Sequence, residues 1–156
     1  MYGLDFINAG KSQSDEPGYY KSVDYLVDQA YAFIQHILLK FQTPPKVFIS
    51  GVSMGGLVSF NLGVKYPKLI SGIIFLAPAL REIYSHMYIL KKIGKALTRL
   101  APKGRLIPQD FINRTKFKME DILKEDKDNY GGKHVFGTAS GVLAGMKWAS
   151  MNYSKL

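Results

Sequence analysis

The chain is 156 residues long, 47% hydrophobic and 21% charged, with a formal net charge of +9. That length suits one domain, the composition is ordinary for a globular protein, and the absence of cysteine excludes disulfides and thiol chemistry. No run of eighteen apolar residues occurs, so no membrane-spanning helix is expected, and the start, Met1-Tyr-Gly-Leu-Asp, lacks the basic and apolar regions of a signal peptide.

The charge is unevenly placed. Residues 1–80 hold six Lys/Arg and five Asp/Glu, whereas residues 81–156 hold fifteen and seven. The composition shift near 77–81 divides a near-neutral α/β part, 1–80, from a basic and mostly helical part, 81–156. A basic surface suits an anionic membrane or nucleic acid, and a lysine-rich helix face in water has the same composition. The basic half carries no stacking-aromatic platform, so no nucleic-acid partner is expected.

In chain order, Met1–Asp5 reads as the end of a strand, and residues 6–18 as a loop rich in turn formers. Gly10-Lys11-Ser12 is not a phosphate loop, because Asp5 stands where that pattern needs its first glycine. Residues 22–41 predict a helix capped by Ser22, with Val23, Leu26, Val27, Ala30, Phe33, Ile34, Ile37, Leu38 and Phe41 on one face. His36 lies beside that face as a surface histidine. Gln42-Thr-Pro-Pro45 ends the helix.

A strand over 46–50 then runs into Gly51-Val52-Ser53-Met54-Gly55, which fits G-x-S-x-G. The bare pattern also describes an ordinary Gly/Ser turn. Here an apolar helical segment follows, stops at Tyr66-Pro67, and leads to a second apolar run, Ile73–Leu76, closed by Pro78. Strand, turn, helix and strand in that order make a nucleophile elbow. Ser53 is then the candidate nucleophile. Gly51 and Gly55 remove Cβ atoms where the turn is crowded, and Gly55 with Gly56 lets helix and sheet approach. The N–H of Met54, at the positive end of the following helix, is placed to donate to an oxyanion.

Beyond Pro78, residues 82–100 predict an amphipathic basic helix, with Ile83, Met87, Leu90, Ile93, Ala96, Leu97 and Leu100 on one side and Lys91, Lys92, Lys95 and Arg99 mostly off it. Residues 105–137 read as irregular and polar, with one short helix near 118–124. A last helix is expected over 138–153, with Thr138 as its cap and with methionines and Trp148 suited to lining an apolar pocket.

The chain resembles the monoacylglycerol lipase and lysophospholipase branch of the α/β-hydrolase fold. Asp5…Gly10-Lys11-Ser12 is similar to the D-x-x-G-x-G-x-S loop of that branch, Gly51-Val-Ser-Met-Gly-Gly56 to its G-H-S-M-G-G elbow, and Ile73-Ile-Phe-Leu-Ala-Pro78 to the strand after the elbow helix. Asn8 stands where the branch usually has glycine, and Ala9 and Val52 where it often has histidine; Asn tolerates a left-handed backbone. The resemblance implies a partial α/β-hydrolase parallel sheet of about three strands with a nucleophile elbow, followed by a helical cap over 81–156.

It further implies a serine hydrolase that cleaves carboxylic esters of lipids through an acyl-enzyme on Ser53, with no metal or cofactor. The basic helix at 82–100 would suit contact with a lipid surface, and a cytoplasmic or peripheral membrane location. A peptidase or general carboxylesterase of the same fold is an alternative, as is a non-catalytic module that binds lipid surfaces or proteins. The triad of this fold runs Ser, then Asp/Glu, then His on later strands. The histidines here are His36, His86 and His134. His134 follows Asp121, Asp126 and Asp128, but no strand separates them, so a Ser53–His134–Asp128 triad is not favoured. By the resemblance, the triad Asp and His would follow Leu156, and the second oxyanion loop and the strand between 1–5 and 46–50 would precede residue 1. The chain is therefore expected to be the middle of a longer hydrolase, poorly folded by itself.

Overall fold

The computed structural model describes residues 1–81, 96–107, 127 and 134–156. The expected helix near 118–124, His86, Asp121, Asp126, Asp128 and most of the predicted helix at 82–100 lie outside them. Two compact units are formed, one from Met1–Lys21 with Tyr88–Ser140 and one from Ser22–Met87 with Gly141–Leu156.

The second unit carries the elbow. Helix α1, Val23–Leu38, starts where predicted: the Tyr25 N–H donates to Ser22 Oγ at 3.1 Å, and Val23, Leu26 and Val27 are buried. It ends three residues short of the expectation. The Lys40 and Phe41 N–H groups reach back only three residues, to Ile37 and Leu38, so the chain tightens out of the helix before Pro44. Strand β1, Phe48–Val52, leads through Ser53 into helix α2, Met54–Lys65, and on to strand β2, Gly72–Leu76. β1 and β2 pair in parallel, Phe48 opposite Gly72 through Val52 opposite Leu76.

Helix α2 is the centre of this unit. Every residue from Gly56 to Gly63 is buried, and the buried Asn61 amide donates to the Leu57 carbonyl at 2.8 Å instead of seeking water. α2 packs on α1 and on one face of the ribbon, the face bearing Gly51 and Ile73. The other face carries Phe48, Val52, Ile74 and Leu76, all exposed. Parallel sheets are normally covered on both faces; α2 covers one.

Helix α3, Phe136–Ser150, contributes its C-terminal part to the same unit. A Cβ at Gly145 would come within 2.5 Å of Val23 and 3.3 Å of Leu57, so α3 approaches α1 and α2 closely there. Past its end, the buried Asn152 donates to the Trp148 carbonyl at 2.7 Å, and Tyr153–Lys155 form a 3₁₀ turn.

In the first unit, residues 1–5 form no strand, which corrects the three-strand expectation: a strand exists only with a ladder partner, and both described sheets have two strands without them. The 105–137 region, read as irregular, holds a short antiparallel pair, β3 Arg105–Ile107 with β4 His134–Val135, interrupted by a register shift. β4 runs straight into α3, two residues ahead of the predicted start. Thr138 is therefore inside the first turn and caps nothing: its Oγ accepts the Tyr20 N–H and donates to the Gly18 carbonyl, both at 2.8 Å. Residues 96–100 are helical, as the 82–100 expectation has them, and the turn after them is closed by the Ala101 N–H on the Leu97 carbonyl. Among the described residues, no helix is long and apolar enough to cross a membrane.

Candidate active site

The elbow is built by a backbone that only small residues permit. Ser53 takes φ 49° and ψ −111°, a conformation costly for a residue with a Cβ. A Cβ on Gly51 would overlap the Gly55 carbonyl and lie 2.6 Å from the Gly56 nitrogen. A Cβ on Gly56 would lie 2.6 Å from Pro78 Cβ. Gly55 differs from the expectation: an added Cβ there meets nothing within 4 Å. Its part in the crowding is its own carbonyl, which presses on Gly51.

Three backbone bonds hold Ser53 in this state. Its N–H donates to the Leu76 carbonyl at 3.0 Å, and its carbonyl accepts from Leu57 at 3.2 Å and from Ala79 at 2.9 Å. Two of the three involve Leu76, the last residue of β2, and Ala79, three residues past it. That strand end is itself strained, since Ala77 has φ 45°. The strand-end clamp was not read from the sequence; the only sign of it there is Ala77-Pro78 directly after an apolar run.

The side chain of Ser53 is left out of this bonding. It sits at the N-cap of α2 but makes no cap bond, and the residue is exposed. Met54 is the first helical residue, so its N–H has no carbonyl one turn back to bond. A hydroxyl and a helix N-terminus thus meet at the carboxyl end of a parallel strand, where open α/β sheets bind ligands. Gly51 lies near the end of β1, Ser53 at the turn, and Met54, Gly55 and Gly56 in the first turn of α2.

The histidines are not all placed. His36 is exposed in the last turn of α1. His134 belongs to β4 by its backbone. His86 and the carboxylates Asp121, Asp126 and Asp128 lie outside the described residues.

The Asp5–Gly18 loop is bound up in itself. The Asp5 carboxylate accepts the Lys11 N–H at 3.1 Å and fills the space beside Gly10, whose φ is 53°. Ser12 Oγ donates to the Asp5 carbonyl at 2.6 Å. The anion that Gly10-Lys11-Ser12 folds around is thus the chain's own Asp5 carboxylate. Asn8 takes the left-handed φ of 66° expected of it.

No curated protein matches the chain. Among solved structures it is similar to the monoacylglycerol lipase of Paleococcus ferrophilus, with 21% identity and a TM-score of 0.74, over 94% of this chain and 55% of that one. It is likewise similar to a soluble variant of the monoglyceride lipase of Saccharomyces cerevisiae in complex with a substrate analog, with 20% identity and a TM-score of 0.68, over 95% of this chain and 50% of that one. The chain thus spans about half the length of these two proteins. The fold is that of the α/β-hydrolases, as the resemblance implied. The sequence pattern described as serine aminopeptidase, S33, matches residues 1–156 from end to end, and the chain belongs to that family.

Proposed function

We propose that Ser53 is the nucleophile of a carboxylic ester hydrolase acting on small lipid esters, monoacylglycerol or lysophospholipid. The observation that carries this is Ser53 itself: a strained serine at a strand-to-helix turn, fixed by its backbone, with its hydroxyl uncommitted beside the first N–H of α2. A hydroxyl is a weak nucleophile until a base takes its proton. In this reading Ser53 Oγ attacks the ester carbonyl as a histidine accepts that proton. The carbonyl oxygen becomes an oxyanion, to which the Met54 N–H donates. Collapse expels the alcohol, which takes the proton from the histidine, and water then releases the acid from the acyl-enzyme. In this reading the histidine and its acid come from outside residues 1–156. The lipid preference rests on the monoacylglycerol lipases to which the fold is similar.

The test is hydrolysis of p-nitrophenyl butyrate and of a monoacylglycerol by the full protein beside Ser53→Ala. Hydrolysis lost in the variant supports the reading, and equal hydrolysis by both overturns it. The family description favours a second reading, a peptidase on the same serine. Cleavage of aminoacyl-arylamides in preference to esters would select it. A non-catalytic binding role remains for a protein in which Ser53→Ala changes no reaction. Residues 82–100 supply the lipid-surface contact in this proposal, on the strength of their basic amphipathic pattern. Equal binding to anionic and neutral vesicles would count against that contact.

A further inference from the structure

We infer that Tyr153 is a positioning residue for Ser53, acting through the Pro78–Leu80 segment; this rests on the reading of Ser53 as nucleophile. Tyr153 lies far along the chain from the elbow, in the 3₁₀ turn that follows α3. Its hydroxyl donates to the Leu80 carbonyl at 2.8 Å. Its ring meets the ring of Phe60 edge-on, with centroids 5.8 Å apart and planes at 82°. Phe60 is buried in the middle of α2, the helix that begins at the elbow.

The segment that Tyr153 holds is the one that holds Ser53. Leu80 N–H closes a tight turn on the Pro78 carbonyl at 2.9 Å, and the Ala79 N–H between them donates to the Ser53 carbonyl. Pro78 packs where a Cβ on Gly56 would stand. Two left-handed non-glycine residues, Ser53 and Ala77, are therefore joined across the ends of β1 and β2. Such conformations persist only where the surroundings over-determine them. One end of this clamp is the ladder of β2. The other end is the Leu80 carbonyl, tied to Tyr153. Tyr153 is half exposed, so water can replace its hydroxyl in part and the effect of losing it is moderate. A loosened Ala79 lets Ser53 drift from the orientation that aims Oγ and the Met54 N–H at one carbonyl, and small displacements of this kind reduce the chemical step.

The test is Tyr153→Phe in the full protein, which keeps the ring against Phe60 and removes only the hydroxyl. Hydrolysis of p-nitrophenyl butyrate is followed beside wild type and Ser53→Ala. The expected result is a kcat lower by about three- to tenfold, with KM and the pH profile unchanged and the unfolding midpoint nearly so. Amide exchange at Ala79 should quicken while that at Leu57, inside α2, does not. If Ser53→Ala abolishes hydrolysis and Tyr153→Phe matches wild type in kcat, the inference is overturned and the nucleophile stands. If kcat and KM change together with a large loss of stability, Tyr153 is structural only, and the inference is again overturned. If Ser53→Ala hydrolyses as wild type does, the functional reading itself falls and the inference with it.

Discussion

Asn8 and Ser53 are both held in backbone conformations with positive φ, 66° and 49°, and they solve the problem in opposite ways. Asn8 spends its side chain on its own loop. Nδ2 donates to the Tyr19 carbonyl at 2.9 Å, and Oδ1 accepts the Glu16 N–H at 3.3 Å. Ser53 is held by its backbone alone, and its hydroxyl bonds to no part of the helix it caps. Strain by itself therefore does not mark chemistry. The proposed nucleophile rests instead on strain together with an exposed polar side chain outside that bonding: the surrounding structure holds Ser53 in place while asking nothing of its hydroxyl.

The sharpest way to break the comparison is to remove both side chains in turn. Ser53→Ala should lower ester hydrolysis by a factor of about a thousand or more, since no attack can start without Oγ, and should leave the unfolding midpoint within about a degree. A large loss of stability would mean that the Ser53 hydroxyl is structural after all.

Next come the glycines, which the motif treats alike and the structure separates. Gly51→Ala forces a Cβ into the Gly55 backbone, which cannot swing aside as a side chain would. The expected cost is about 3 kcal/mol. Gly55→Ala meets open space within a helix, so it should be neutral or stabilise by up to about 1 kcal/mol. Chemical denaturation of the two variants side by side decides it. Equal losses would mean that the crowding at the elbow is not what excludes a Cβ at position 51.

Asn8→Ala should cost about 2 kcal/mol, the sum of two local hydrogen bonds and the left-handed backbone that alanine disfavours. Asn8→Gly restores the backbone freedom but not the bonds, and should cost about half as much. A glycine variant as unstable as the alanine one would assign the whole effect to the side chain.

The parts of the molecule legible in the sequence are those whose cause is local. The Ser22 cap, the apolar face of α1, and the order β1, elbow, α2, β2 follow from spacing over a few residues, and the strand bounds differ from the expectation by one or two positions. The parts that were missed depend on partners far away. Residues 1–5 have strand composition but take no place in either described sheet. β3 and β4 are two or three residues each, too short for any periodicity, and exist because 105–107 meets 134–135. Thr138 looks like a cap because hydroxyls suit caps; its bonds to Gly18 and Tyr20 span more than a hundred residues. The hydroxyl of Tyr153 finds Leu80 across 73 residues. The elbow was readable because its geometry lies in five consecutive residues. The clamp that holds it was not, because it belongs to the next strand and to the turn after the last helix.

The smallest effect sharpens the Asn8 side of the comparison. Glu16 gives its N–H to Asn8, but its carboxylate is used elsewhere, with Lys103 Nζ at 2.8 Å and Arg105 at 3.8 Å. The Lys103 hydrogen bond, foremost, holds the Glu16 carboxyl below its ordinary value of 4.5, and the same bond raises Lys103 above 10.5. A carboxyl whose pKa is lower in the folded state stabilises it above the ordinary value and loses that effect as pH falls through the folded one. An amine whose pKa is raised stabilises the fold below 10.5 and loses the effect as pH rises beyond it. Between those limits the contribution is flat. The pair is at the surface, where solvent and salt screen it, so the effect is the weakest of the series. Glu16→Gln keeps the N–H on Asn8 and removes the charge. Its unfolding midpoint should lie slightly below wild type at neutral pH and low salt. The two should converge as pH falls below 4.5 and also in molar salt. A difference that survives both conditions would come from the loop backbone, and the bond to Asn8 would then be where Glu16 acts.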